Sequence, residues 1–387
     1  MNYQYLDTPE KLAHFCSLLS GSEWITVDTE FLRNDTYSAR LCLVQLANLE
    51  HVGVIDTVAL EVEGVPQLEP LFELFFDQSM VKVFHAADQD FQIIEMLTGK
   101  VPSPVFDTQV AASVCGFSHQ VGYGTLIKDL LDIDLDKGHS RTDWARRPLA
   151  QDELDYAVAD VTWLRDAYLA LREQMNKEGR SDWLEQEFAA IENPAKYRVE
   201  PEDAWGKVKG LGRIRPKEMG IVRELATWRE LRAIERNKPR NWIIKDELIR
   251  DLAKRKPTLI GELKRMQGIN DGLVRHSGEE IVACVNRGIE NPMETIEEKR
   301  PKPLSPSEEG MVDLLFAVLR MRSVEQNLSP ETVGSKKQIA SLARGKLDLP
   351  ILAGWRLKAV GQELLDIIDG KLVVIISEGA LTISPSI

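Results

Sequence analysis

Between residues 216 and 254 this chain repeats itself at a constant offset of ninety, and that register limits what the C-terminal half can become. Pro216 matches Pro306, Leu225 matches Leu315, Arg232 matches Arg322 and Asn237 matches Asn327. Further on, Ile249 matches Ile339, and Leu252-Ala253-Lys254 matches Leu342-Ala343-Arg344. A register kept over about forty residues implies one small helical unit built twice. The copies differ in charge. Residues 205–256 carry 16 basic against 7 acidic side chains, whereas residues 301–387 carry ten of each. A local excess of that size suits either a solvated helical face or a phosphate backbone.

The N-terminal half has the opposite balance, with 16 Lys and Arg against 34 Asp and Glu in residues 1–200. Apolar runs at Trp24–Val27, Leu41–Ala47, Val52–Ile55 and Val81–Phe84 read as strands, and a helical pattern dominates from Asp107 onward. Strands first and helices afterwards predict an α/β domain with a mixed sheet. Residues 192–205 and 297–307 read as linkers. Leu372–Ser377 and Ala380–Ser384 flank Glu378-Gly379 as a hairpin. No Gly-Xaa-Gly-Xaa-Xaa-Gly follows a strand and no Gly-Lys-Ser/Thr occurs, so no nucleotide cofactor is expected. With no long apolar run and no signal-like N-terminus, no membrane association is expected and a cytoplasmic location is. The four scattered cysteines read as buried thiols.

Chemistry concentrates in acidic residues. Alternation along a strand places Asp28 and Glu30 on one face, with Ile25, Val27 and Phe31 on the other. Two carboxylates that close repel unless a cation lies between them. In His85-Ala86-Ala87-Asp88-Gln89-Asp90, Asp88 reads as a helix N-cap and Asp90 as a first-turn residue able to face the strand pair. Tyr156 and Asp160 stand four apart, on one face of a helix whose Val158, Val161 and Leu164 indicate burial. A buried carboxylate needs a cation or hydrogen bonds.

Taken together, Asp28-Thr29-Glu30-Phe31, His85 to Asp90 and Tyr156 to Asp160 resemble the three exonuclease motifs of the DEDD superfamily, in its tyrosine form. Trp228-Arg229-Glu230-Leu231 and Pro239 to Glu247 resemble the HRDC domain of RecQ helicases and ribonuclease D. The resemblance, to the bacterial ribonuclease D family, implies a ribonuclease H-like exonuclease domain over residues 1–195. Two small all-α HRDC-like domains would follow over 210–295 and 305–387. It implies Asp28, Glu30, Asp90 and Asp160 as carboxylates for two divalent ions, Mg²⁺ or alternatively Mn²⁺, with Tyr156 orienting the attacking water. Phe31, His85 and Arg141 are candidates for touching substrate. The implied partner is RNA with a free 3′ end, such as a tRNA precursor, trimmed to release 5′ mononucleotides. A 3′–5′ DNA exonuclease is the alternative, and a non-catalytic nucleic-acid adapter a third. Removing residues 205–387 is expected to weaken substrate binding more than chemistry.

Overall fold

The computed structural model describes residues 2–386 apart from Asn34, 136–137, 139–141, Val199 and 294–302. Arg141 and residues 297–302 of the second linker therefore lie outside the described residues. The chain forms two compact units: Met1–Glu30, Leu41–Lys196 and Pro303–Ile387 make the first, and Phe31–Arg40 with Tyr197–Lys302 the second.

The first unit is built on β1 (Gln4–Leu6), α1 (Pro9–Leu19), β2 (Trp24–Leu32), β3 (Arg40–Ala47) and β4 (Val52–Asp56). A small ribbon, β5 (Glu61–Val62) and β6 (Val65–Pro66), and α2 (Glu69–Phe76) follow. Next come β7 (Val81–Phe84), α3 (Asp88–Thr98), β8 (Val105–Asp107), α4 (Thr108–Ser113), α5 (Tyr123–Leu131), α6 (Gln151–Lys177) and α7 (Glu185–Ile191). Six strands lie in the order β1-β4-β3-β2-β7-β8. β1 is parallel to β4, β3 antiparallel to β4, and β2, β7 and β8 mutually parallel, which is the mixed sheet expected from the sequence. β2 pairs with β7 only over Trp24–Thr26, so its acidic end runs on where its parallel neighbour stops. Thr26, fully buried, donates its hydroxyl to the Val161 carbonyl at 2.9 Å and so pins α6 to that face of the sheet.

The second unit contains α8 (Met219–Glu235), α9 (Arg240–Ile243), α10 (Asp246–Arg255), α11 (Ile260–Lys264) and α12 (Asp271–Glu290) around Val222, Leu225, Ile249, Leu252, Ile281 and Val285. α8 and α12 approach so closely that a Cβ on Gly288 would overlap the backbone of Gly220 and Ile221. Residues 31–40 belong to this unit: the Tyr37 hydroxyl donates to buried Glu230, which also pairs with Arg240.

The repeat resumes in α13 (Pro306–Glu325), α14 (Pro330–Val333) and α15 (Lys336–Ala343). Asn237 and Asn327 both adopt left-handed backbone, at φ 44° and 52°. Arg232 pairs with Glu235 and Glu280 as Arg322 pairs with Glu325 and Glu363. The later copy nevertheless belongs to the other unit. Val312, Leu315, Leu319, Ile339 and Trp355 share one core with Ala111, Leu126, Leu171 and Leu184. Trp355, in α16 (Gly354–Arg356), stacks on Trp183 with ring centroids 4.9 Å apart. Truncation at residue 205 would therefore open that core as well as remove the basic helices, so it does not isolate binding from chemistry. The chain closes with α17 (Gln362–Ile368) and an antiparallel hairpin, β9 (Leu372–Ser377) and β10 (Ala380–Pro385). Its turn residues Glu378 and Gly379 have φ of 53° and 81°, the signs a tight two-residue hairpin turn requires.

Candidate active site

Three elements converge where β2 outruns β7. β2 presents Asp28 and Glu30, and α6 presents Asp160; one carboxylate oxygen from each lies within 4.8 Å of the others. Asp90, in the first turn of α3, stands outside that group but is buried, and its carboxylate accepts the Thr29 hydroxyl. Its charge raises the Glu30 pKa, as the Asp28 charge raises its own.

Burial is the largest influence on all four carboxyls, because it penalises the charged form. It pushes Glu30 up to about 10, helped by Asp28, Asp160 and Asp90. Asp90 is pushed up to about 8 by burial and Asp28, against the Thr29 hydrogen bond. Asp160 rises to about 7, the Tyr156 hydroxyl bond holding it lower than burial alone would. Asp28 also rises well above the ordinary carboxylate range, through burial and Asp160. Four carboxyls close together and largely withdrawn from water, Asp90 buried and the other three half-buried, are an oxygen-only donor set, the kind that hard divalent cations favour. The residues thus fit the divalent metals that the exonuclease motifs imply.

Local structure explains how the acids are held. The turn from β7 into α3 puts Ala86 at φ 58°, a left-handed conformation costing an L-residue roughly 1–2 kcal/mol. Asp107 stabilises it by accepting the Ala86 and Ala87 amides at 3.1 and 2.9 Å, while also capping α4 through Gln109 and Val110. The N-cap expected at Asp88 is corrected: Ala87 occupies that position, and Asp88 is the first helical residue, exposed and 2.6 Å from the Lys196 ammonium. Asp107 reaches the Ala86 and Ala87 amides, which precede the helix, from an adjacent strand, and so fixes where α3 starts from outside the range of local helix rules. On α6, Glu153 accepts the Ala150 amide at 2.7 Å and both of its carboxylate oxygens accept from Arg146, which secures the helix start.

Among the other candidates, His85 engages both ring nitrogens within the protein, Nδ1 with Thr108 Oγ1 at 3.0 Å and Nε2 with the Val121 carbonyl at 3.1 Å. Phe31 is half-buried, outside the apolar core, with the Arg33 guanidinium 5.8 Å from its ring centre. Arg141 lies outside the described residues. Two residues that the sequence did not single out also touch the acidic cluster. Tyr123 donates its hydroxyl to the Asp160 carbonyl at 2.6 Å, and Thr29 serves Asp90. Tyr123 is 37 positions from Asp160, so no local pattern could have connected them.

Residues 3–176 match a family model described as 3′–5′ exonuclease, and residues 218–285 match the HRDC domain. A curated ribonuclease D from Acidiphilium cryptum is 39% identical over 373 residues, 95% of this chain and 94% of that protein. That from Granulibacter bethesdensis is 38% identical over 383 residues, covering 96% and 95%. The crystal structure of Escherichia coli RNase D, described as an exoribonuclease involved in structured RNA processing, superposes with a TM-score of 0.77 at 28% identity. It covers 95% of this chain and 99% of that one.

Proposed function

For this chain, which belongs to the ribonuclease D family and is a 3′–5′ exoribonuclease, we propose that it trims tRNA precursors and other small structured RNAs, releasing 5′ mononucleotides. The supporting observation is the meeting of Asp28 and Glu30 from β2 with Asp160 from α6, beside Tyr156. Asp28, Glu30, Asp90 and Asp160 would hold two divalent ions, Mg²⁺ or Mn²⁺, and such ions would supply a more acidic water and neutralise charge on the leaving 3′ oxygen. Tyr156 orients that water. Burial and the neighbouring carboxylates keep its hydroxyl protonated far above neutral pH, so it positions by hydrogen bonding and does not act as a base. Phe31 offers an aromatic face on which any terminal base can stack.

In this reading residues 1–195 carry the chemistry and residues 210–295 grip the RNA backbone without reading sequence. Trp242, 61% exposed and with the Lys238 ammonium 5.5 Å from its ring centre, supports such a surface. Residues 305–387 act structurally, in keeping with their balanced charge and shared core. The absence of any described helix long and apolar enough to cross a membrane accords with work on RNA in the cytoplasm. The test is digestion of matched RNA and DNA oligonucleotides, and of a tRNA with extra 3′ residues, each with free or blocked 3′ ends. Metal-dependent release of nucleoside 5′ monophosphates from free RNA 3′ ends is expected. Equal rates on DNA would overturn the substrate assignment, and cleavage of blocked ends would overturn the mechanism.

A further inference from the structure

Gln45, in β3, has no exposed surface, and neither its amide nitrogen nor its oxygen has a hydrogen-bond partner. Leaving a buried polar group unsatisfied costs about 1–3 kcal/mol, so such a group calls for an explanation. Its place in the sheet supplies one. The seven residues joining β2 to β3 are too few for a parallel crossover, so the two strands run antiparallel. Thr26 Oγ1 touches the Ala47 carbonyl at 3.2 Å across that pair while bonding to Val161 of α6. Stepping two residues forward along β2 and two back along β3 sets Asp28 opposite Gln45, on the face covered by α6.

β4 leads to the same face. Gln45 is paired with Val54, and a Cβ on the adjacent Gly53 would overlap the Phe15 ring of α1. Val54 and Gln45 therefore point away from α1. Opposed residues in antiparallel strands have Cβ atoms about 4.5–5.5 Å apart, which a glutamine amide spans to reach an aspartate carboxylate.

Resting on the metal-dependent reading above, we propose that Gln45 is a positioning residue for the metal site. The structure makes no bond from Gln45 to Asp28; with a cation held at the site, the Gln45 amide NH₂ would turn to donate to the Asp28 carboxylate and so fix its orientation. Partners of this kind behind a metal ligand change affinity by about 10–100-fold when removed.

The test is Mn²⁺ titration by calorimetry on the full chain, its Gln45→Met variant and its Gln45→Leu variant, with thermal unfolding in chelator alongside. Methionine keeps the length and removes the amide, and leucine is the second choice should that variant not fold. The expected result is an unfolding temperature in chelator no lower than the parent's, because an orphan amide has gone, with Mn²⁺ bound about tenfold more weakly. Affinity within twofold of the parent would overturn the proposal, as would a fall in unfolding temperature with no change in affinity. If the parent chain itself binds no Mn²⁺, the metal-dependent function fails instead.

Discussion

Asp160→Asn should make the metal-free protein more stable while abolishing its response to metal. The oxygens of Asp28, Glu30 and Asp160 lie within 4.8 Å of one another, and two ionised carboxylates at that distance would repel by roughly 3.5 kcal/mol at an effective dielectric constant of about 20, which is why the group does not ionise together. The acidity of Asp160 leads to a similar figure. Burial raises its pKa from 3.8 to about 7, and at about 1.4 kcal/mol per unit its ionisation opposes folding by roughly 4 kcal/mol above neutral pH. Asparagine has the same shape, removes the charge and still accepts the Tyr156 hydroxyl. After allowance for imperfect repacking, a gain of about 2 kcal/mol corresponds to roughly 4–8 °C in unfolding temperature for a unit of this size. Scanning calorimetry at pH 8 in chelator, then with Mn²⁺ added, measures both arms, and hydrolysis of a 3′-labelled RNA measures the chemistry. The variant should melt higher without metal, gain nothing from Mn²⁺ and lose about a thousandfold or more in kcat/KM, equivalent to about 4 kcal/mol of transition-state stabilisation. A variant that melts at or below the parent in chelator, or that keeps the Mn²⁺ response, would refute the reasoning.

The carboxyl shifts also predict a pH dependence. Because the folded values of Asp160, Asp90 and Glu30, about 7, 8 and 10, lie above those of the unfolded chain, these groups favour folding in acid. Their contribution disappears as pH rises from about 4 through those values. Unfolding temperatures in chelator should fall across that range, and the increase caused by Mg²⁺ should widen with pH; a metal effect independent of pH would contradict this. Tyr156→Phe should lower kcat about 100-fold with KM and metal affinity retained, since only the orienting hydroxyl is removed; an unchanged kcat would exclude that role. Lys238→Glu together with Trp242→Ala should raise KM for RNA and flatten its salt dependence while kcat stays constant, read by initial rates at several salt concentrations. Gly288→Ala should destabilise the α8–α12 contact by about 1–3 kcal/mol, detectable as an earlier unfolding transition, because the new methyl meets backbone that cannot yield.

Several features of this molecule were legible without coordinates because each depends on a few consecutive residues. Strand alternation put Asp28 and Glu30 on one face, and helical spacing put Tyr156 beside Asp160. The ninety-residue register announced α8–α10 and α13–α15 as copies, down to the left-handed Asn237 and Asn327. Glu378-Gly379 marked its hairpin correctly for the same reason, since a tight turn is decided by its own backbone angles. Asp88 shows the limit of such reading. It has the right chemistry and place for a cap, yet the helix begins one residue earlier, at Ala87 as cap, in a turn that Asp107 holds from a neighbouring strand.

What the tertiary structure decided concerns groups far apart in the chain. Only packing brings Asp28, Glu30, Asp90 and Asp160 together and withdraws them from water, and their weakened acidity follows from that desolvation. Only packing brings Tyr123 to Asp160 and places the second helical copy in the core of the exonuclease unit. Gln45 is an ordinary strand residue in the sequence and a buried, orphaned amide in the fold. The division has one physical cause. Backbone angles and side-chain periodicity are local, whereas desolvation and electrostatic coupling depend on which distant surfaces meet.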